Sequence, residues 1–236
     1  MALTTQQQYG TGNPIIHSHP SHWESGIDAL DNPTFWQILC NLIKTWRYLY
    51  WYKTTYMQKQ QEIDLREILD KATQGFIYMS LGTNVKSVML SNETREEFLA
   101  AFSKLPYIVI WKFENEILSG RPDNVITMKW APQQSILAHP NIKAFIYQVG
   151  LQSTEEAIFL TVPLIGLPVF SDQQTDVQKM VSLGVGKKLN IFNINRFDLV
   201  KAIQSVAGDG SYKQRLLKLR DLMEDKPYDS LENAVR

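Results

Sequence analysis

From about residue 64 onward, short apolar runs rich in β-branched and aromatic residues alternate with stretches whose apolar positions recur every three or four residues. FIYMS (76–80), YIVIWKF (107–113), VITMKW (125–130) and KAFIY (143–147) read as strands, and PLIGLP and GKKLN as two shorter ones. Helical periodicity falls between them: near 91–104, over PQQSILA with Pro132 suited to the first turn, over LQSTEEAIFL (151–160), and over DQQTDVQKMVSLG, closed by Gly184. Two amphipathic helices follow, near 195–207 and 211–224. Strands alternating with helices predict βαβ units around a parallel sheet, with right-handed crossovers placing helices on both faces. The fold class is therefore α/β, a Rossmann-like parallel sheet over 64–236. Ligands in such sheets bind at the carboxyl ends of the strands. SLGT (80–83), WAPQ (130–133), QVGLQS (148–153) and PVFSDQ (168–173) all fall on that edge.

Residues 1–63 have another texture, rich in aromatics, Gln and His, with one helix and no repeated strand signal. In FWQILCNLIKTWRYLYWYKTTYM (35–57), Trp36, Leu39, Ile43, Trp46 and Tyr50 keep helical spacing, while Lys44, Arg47 and Lys53 interrupt the run. It is too short of apolar residues to span a bilayer and reads as a helix packed on a partner surface, with an interfacial membrane helix as the alternative. The start, MALTTQQQYGTGNP, has no basic region followed by an apolar one, so no signal peptide is expected.

Composition narrows the classes further. Lys+Arg and Asp+Glu both total 24, so no global field favours nucleic acid as a partner. A single cysteine, Cys40, excludes an intrachain disulfide framework and a cysteine-rich zinc site. Three of the four histidines, His17, His19 and His22, cluster in HSHPSH, but without neighbouring acidic or cysteine ligands no metal site is expected.

Each loop carries its own chemistry. Gly82 and Thr83 follow a strand, where a backbone amide and a hydroxyl can donate to phosphate, although many βα turns hold Gly and Thr for conformational reasons. Trp130 can stack on a base with Gln133 at its edge, but taken alone it reads as a core tryptophan. Ser153 lies in the first turn of a helix, suited to an anion, and Glu156 can accept from ribose hydroxyls. Asp172 and Gln173 can hold adjacent sugar hydroxyls or cap the helix they open. His139, in AHP, reads as a helix-terminating residue rather than a catalyst.

The joint pattern is more specific than its parts. WAPQQSILAHPNIKAFIYQVGLQSTEEAIFLTVPLIGLPVFSDQQ (130–174) resembles the donor-binding signature of the UDP-glycosyltransferases, and FIYMSLGTNVKS resembles the opening strand and loop of their nucleotide-binding domain. LQSTEEA and SLGTNVKS are most similar to insect members. The resemblance is firm over 64–236 and looser over 9–60, where GTGNP and NPTFW resemble the end of the acceptor-binding domain; residues 1–63 are expected to be an incomplete, mainly helical fragment of it. It implies a GT-B-type fold and inverting transfer of a hexose from UDP-glucose or UDP-glucuronic acid to small lipophilic acceptors, with no cofactor and no metal. Trp130 would stack on uracil, Gln133 hold the base or ribose, and Glu156 the ribose. Thr83, Gln152 and Ser153 would face the diphosphate, Asp172 and Gln173 the hexose, and Gln148 and Gly150 would belong to the same UDP-sugar site. The resemblance also implies the endoplasmic reticulum membrane or lumen, and homo- or hetero-oligomers with full-length relatives.

The chain departs from that pattern in four places. Gln148-Val149-Gly150 stands where the family commonly has His-Gly-Gly. Gln148 can still donate a hydrogen bond, but Val149 is β-branched: in a left-handed turn it would carry strain of about 1–3 kcal/mol and its Cβ would obstruct a phosphate. Asp176 replaces a frequent Asn. The segment carrying the family's catalytic histidine has no counterpart, so no catalytic residue is assigned; and LENAVR ends where relatives continue into a membrane anchor. Two expectations follow: a truncated, catalytically impaired transferase, or a non-catalytic UDP-sugar-binding isoform that pairs with full-length enzymes.

Overall fold

In the computed structural model the chain divides into two compact units, residues 1–65 and 66–236. The structure describes residues 65–115 and 117–225, together with Trp36, Ile43, Trp46 and Arg47, which are helical and exposed. The rest of the helix predicted over 35–57, the HSHPSH histidines, the fragment character of 1–63 and the terminal LENAVR lie outside the described residues.

Six strands form one sheet: β1 (Phe76–Ser80), β2 (Ile108–Lys112), β3 (Val125–Met128), β4 (Ile142–Tyr147), β5 (Leu164–Gly166) and β6 (Gly186–Lys188). Every pairing is parallel, in the order β3-β2-β1-β4-β5-β6. The helices are α1 (Asn92–Phe102), α2 (Gln133–Leu137), α3 (Leu151–Phe159), α4 (Ser171–Ser182), α5 (Arg196–Gly208) and α6 (Ser211–Glu224). Each element predicted from residue 76 onward is present, within two residues of its expected ends. Pro132 differs slightly: with φ −72° it is the N-cap of α2, and Gln133 is the first helical residue.

Parallel sheets bury both faces, and the strand sequences show why this one does. On one face Ile77, Met79, Val109, Trp111 and Ile146 meet Phe98 and Phe102 of α1 and Leu199 and Ile203 of α5 in a single apolar cluster. On the other, Tyr78, Phe145 and Tyr147 stack across β1 and β4 with ring centres 5.1 and 4.8 Å apart. Ser91 accepts from the Thr94 amide at the start of α1, and Asn195 from the Asp198 amide at the start of α5. Gly184, at φ +67°, ends the turn after α4 as expected of a residue without Cβ.

The chain builds outward from β1 to β3, then returns through α2 to the far side of β1 and builds β4, β5 and β6 the other way. The two neighbouring strands whose connections diverge are β1 and β4. A crevice opens at their carboxyl ends, which is where open α/β sheets hold ligands. Near the opposite ends of these strands, His139 is buried. Its Nε2 lies 2.9 Å from Asp70 Oδ1, and its Nδ1 accepts from the Asn141 amide. It thereby ties the turn after α2 to the helical stretch 65–70, in keeping with a terminating role.

Candidate functional site

The loop after β1 forms one wall of the crevice. Gly82 has φ +79°, and a Cβ placed on it would come within 2.4 Å of Gln148 Nε2 from the loop after β4. The left-handed backbone favours glycine here, and any Cβ would push the Gln148 amide aside. Gly82→Ala is expected to destabilise the domain by about 1–3 kcal/mol through left-handed strain and the contact with Gln148; a denaturant midpoint equal to that of the parent would show that the loops are free to separate. Lys112, the last residue of β2, is buried, and its Nζ donates to the Gly82 carbonyl at 2.5 Å. The same ammonium lies 3.7 Å from Glu114 and 5.3 Å from the centre of the Trp130 ring.

Trp130, two residues beyond β3, is 62% exposed. This corrects the reading of it as a core tryptophan: its indole stands at the crevice mouth. At the start of α2, Gln133 Nε2 donates to Ser153 Oγ (3.0 Å) and to Glu156 (2.7 Å), while Gln134 donates to the other Glu156 oxygen at 2.9 Å. Glu156 is thus held by amide donors on both oxygens and keeps lone pairs for hydroxyl groups. Below it Tyr78 is almost fully buried, and burial, with a further push from the Glu156 charge, raises its phenol to about 12. It therefore stays a neutral hydroxyl in the crevice floor.

The loop after β4 leads into α3. Gly150 is the N-cap and no side chain caps the helix. The Leu151, Gln152 and Ser153 amides, which have no carbonyl partners within the helix, therefore open toward the crevice with the positive end of the helix dipole. Thr154 pins this first turn: its amide and hydroxyl both donate to the Gly150 carbonyl (2.9 and 3.0 Å), and its hydroxyl also meets Tyr147 Oη at 2.9 Å. Gln148 lines the crevice, and its Oε1 is buried with no hydrogen-bond partner.

Val149 has φ +67°, as its sequence position suggested, but its side chain is not where it would obstruct an anion. It is fully buried. Its Cγ2 lies 2.8 Å from where a Gly166 Cβ would stand, and Val177 Cγ2 lies 2.5 Å from the same point. The left-handed backbone costs about 1–3 kcal/mol. Burying a valine side chain contributes about 1.5–3 kcal/mol, so packing offsets the strain.

The crevice, about 370 Å³ in volume, gathers Thr83, Trp130, Gln133, Gln148, Gly150, Gln152, Ser153 and Glu156. Asp172 and Gln173 are not among its walls. They sit in the first turn of α4, at the end of the adjacent strand β5. Asp172 is exposed; Gln173 is buried, its Oε1 accepting from the Val169 and Phe170 amides (2.8 and 3.0 Å) as a helix cap.

A family model, described as "UDP-glucoronosyl and UDP-glucosyl transferase", matches residues 54–236, more than half the chain. The chain belongs to the UDP-glycosyltransferase family. It is 37% identical over 172 residues to UDP-glycosyltransferase UGT5 of Dactylopius coccus, covering 73% of this chain and 33% of that relative. It is 39% identical over 171 residues to the ecdysteroid UDP-glucosyltransferase of Mamestra brassicae nuclear polyhedrosis virus, covering 72% and 32%. The chain thus spans about a third of the length of these curated relatives. Among solved structures, Os79 from O. sativa in complex with UDP superposes with a TM-score of 0.56 at 24% identity, covering 66% of this chain and 37% of that one. The likeness shows a shared GT-B glycosyltransferase fold.

In this UDP-glycosyltransferase chain three crevice residues lie outside the loops and the Glu156 position singled out in the sequence: Tyr78, Asn84 and Lys112. Lys112 did leave a signal, a charge closing the otherwise apolar run YIVIW. A lysine buried at the end of an interior strand needs partners, and here they are a loop carbonyl, a carboxylate and an indole face. Tyr78 left none, since a tyrosine within a strand reads as core. Among the described residues no helix is long and apolar enough to cross a membrane.

Proposed function

We propose that the crevice binds the UDP part of a UDP-sugar and that this chain carries the donor site of an inverting hexosyltransferase. One observation carries the reading: an exposed indole, a carboxylate held by two amides and an uncapped helix N-terminus converge on one crevice at the topological switch point. These are complements, in order, of a base, a ribose diol and a diphosphate. Trp130 stacks on uracil and Gln133 steadies Glu156 against the ribose. The α3 amides, Gly150, Gln152, Ser153 and Thr83 take the diphosphate, whose charge grows as UDP leaves; fixed dipoles aimed at that charge lower the barrier without a metal. Gln148, on the crevice wall beside Gly150, faces the same end of the donor. The hexose extends toward Asp172, with Gln173 shaping that turn through its capping bonds. UDP-glucose or UDP-glucuronic acid as donor, a small lipophilic acceptor and residence at the endoplasmic reticulum complete the proposal.

A second reading is favoured by the state of His139, the one histidine among the described residues. Both ring nitrogens are engaged away from the crevice, so it cannot serve as a general base there. On this reading the chain binds UDP-sugar without turning it over and acts by pairing with full-length relatives. Incubation with radiolabelled UDP-glucose and a phenolic acceptor separates the two: steady acceptor-dependent turnover supports the transferase and sinks the binding-only protein.

The donor assignment is tested by calorimetry with UDP and 2′-deoxy-UDP. The parent is expected to prefer UDP. Glu156→Gln is expected to lose about tenfold in UDP affinity and to bind the two nucleotides alike, as for a charged hydrogen bond of about 1.5 kcal/mol. No heat with either nucleotide would overturn the assignment.

A further inference from the structure

Val149 is the one strained residue in the crevice loops that is not glycine. Thr161, the other left-handed non-glycine among the described residues, lies beyond α3. Valine strongly prefers negative φ, so the turn must be held by something outside residue 149. The packing shows what holds it. The Val149 isopropyl group is fully buried and converges with that of Val177, from α4, on the empty side of Gly166 in β5. Immediately beside it, the Leu167 amide donates to the Tyr147 carbonyl at 2.8 Å, closing β5 onto the end of β4. Turning residue 149 to negative φ would draw the isopropyl group out of this socket. Neighbouring side chains therefore point oppositely: Gln148 toward Gly82 in the crevice, Val149 into the core.

We propose that Val149 is a positioning residue for the anion-binding loop: its side chain, seated against Gly166 and Val177, locks the backbone that presents Gly150 and the first turn of α3. The inference rests on reading that turn as the diphosphate site. A glycine at 149 reaches the same φ freely but many others equally, so the unliganded loop would sample several conformations and binding would have to select one. With valine, the left-handed turn is fixed within the folded domain before any ligand arrives. The residue that looks damaging in sequence is then a source of preorganisation.

The test uses Val149→Gly, Val149→Ala, Gly166→Ala and the combined Val149→Gly/Gly166→Ala protein. UDP affinity is measured by calorimetry, and amide hydrogen exchange is followed at Thr154 and Leu167, whose bonds to Gly150 and Tyr147 report whether the loop is closed. Val149→Gly is expected to bind UDP about tenfold more weakly than the parent and to lose about tenfold in Thr154 protection, while amides in β1 and β2 keep theirs. Val149→Ala, which keeps the left-handed Cβ but lacks the methyl groups, should fall between. Gly166→Ala should impair binding on its own, because its Cβ meets both valine methyls, and removing the Val149 side chain should restore part of that loss. Unchanged or tighter UDP binding by Val149→Gly, with Thr154 protection intact, overturns the proposal; so does strict additivity of the two substitutions. If the parent itself ignores UDP, the functional reading fails, and the exchange measurements alone still decide whether Val149 locks the loop.

Discussion

Trp111→Ala is expected to lower the stability of the domain by about 3–5 kcal/mol, the range for deleting a large buried aromatic. Trp111 has no exposed surface. Its ring lies 5.7 Å from both Phe98 and Phe102 of α1 and 5.5 Å from Phe113, so it joins the helix layer to β2. Its Nε1 donates to Ser87 Oγ at 3.1 Å, and that hydroxyl donates to the Lys112 carbonyl at 3.0 Å. Alanine would leave a cavity and also strip the donor from a buried hydroxyl. Against a typical total of about 5–15 kcal/mol, the variant should unfold at much lower denaturant. Guanidinium titration followed by far-ultraviolet circular dichroism checks this, with Trp111→Phe retaining most of the ring contacts. A loss below about 1 kcal/mol in the alanine variant would mean that α1 repacks on the sheet without this side chain.

Trp130→Ala should do the reverse. An indole so exposed contributes little to folding, so stability should stay within about 0.5 kcal/mol of the parent. UDP binding should weaken by about 10–100-fold, corresponding to the 1–3 kcal/mol of a base stacked on an aromatic ring. Lys112, 5.3 Å from the ring centre, would lose its contact with the indole face at the same time. Thermal denaturation reads the stability and calorimetry with UDP the affinity. Full UDP affinity in Trp130→Ala would remove the base from that end of the crevice and leave the α3 turn as the sole basis for a phosphate site.

These two tryptophans show how far the sequence could be read. Both belong to strand-like runs, YIVIWKF and VITMKW, and residue type alone calls either one core. What separates them is where each strand stops: β2 continues through Trp111, whereas β3 ends at Met128 and leaves Trp130 in the loop. Strand ends are set by pairing register, a property of the neighbouring strand, and are poorly written in the strand itself. The order of elements was legible because strand and helix periodicities differ plainly. The loops that line the crevice were legible because they fall after β1, β3 and β4. Lys112 and Tyr78 were less so, because they face the crevice from strand positions whose direction depends on the pleat. Gln173 and Asp172 show the converse: residues of suitable chemistry at the right edge, of which one is spent on capping its own helix.

The geometry around Gly166 also has a historical consequence. A branched side chain at 149 and a Cβ at 166 compete for the same few cubic ångströms, as the 2.8 Å approach of Val149 Cγ2 shows. Val177 Cγ2 stands still closer to that point, at 2.5 Å, so a Cβ at 166 is disfavoured twice over, and valine at 149 adds a second reason to keep the glycine. Related sequences with valine at the first position are therefore expected to hold glycine at the second, which a comparison of such sequences checks.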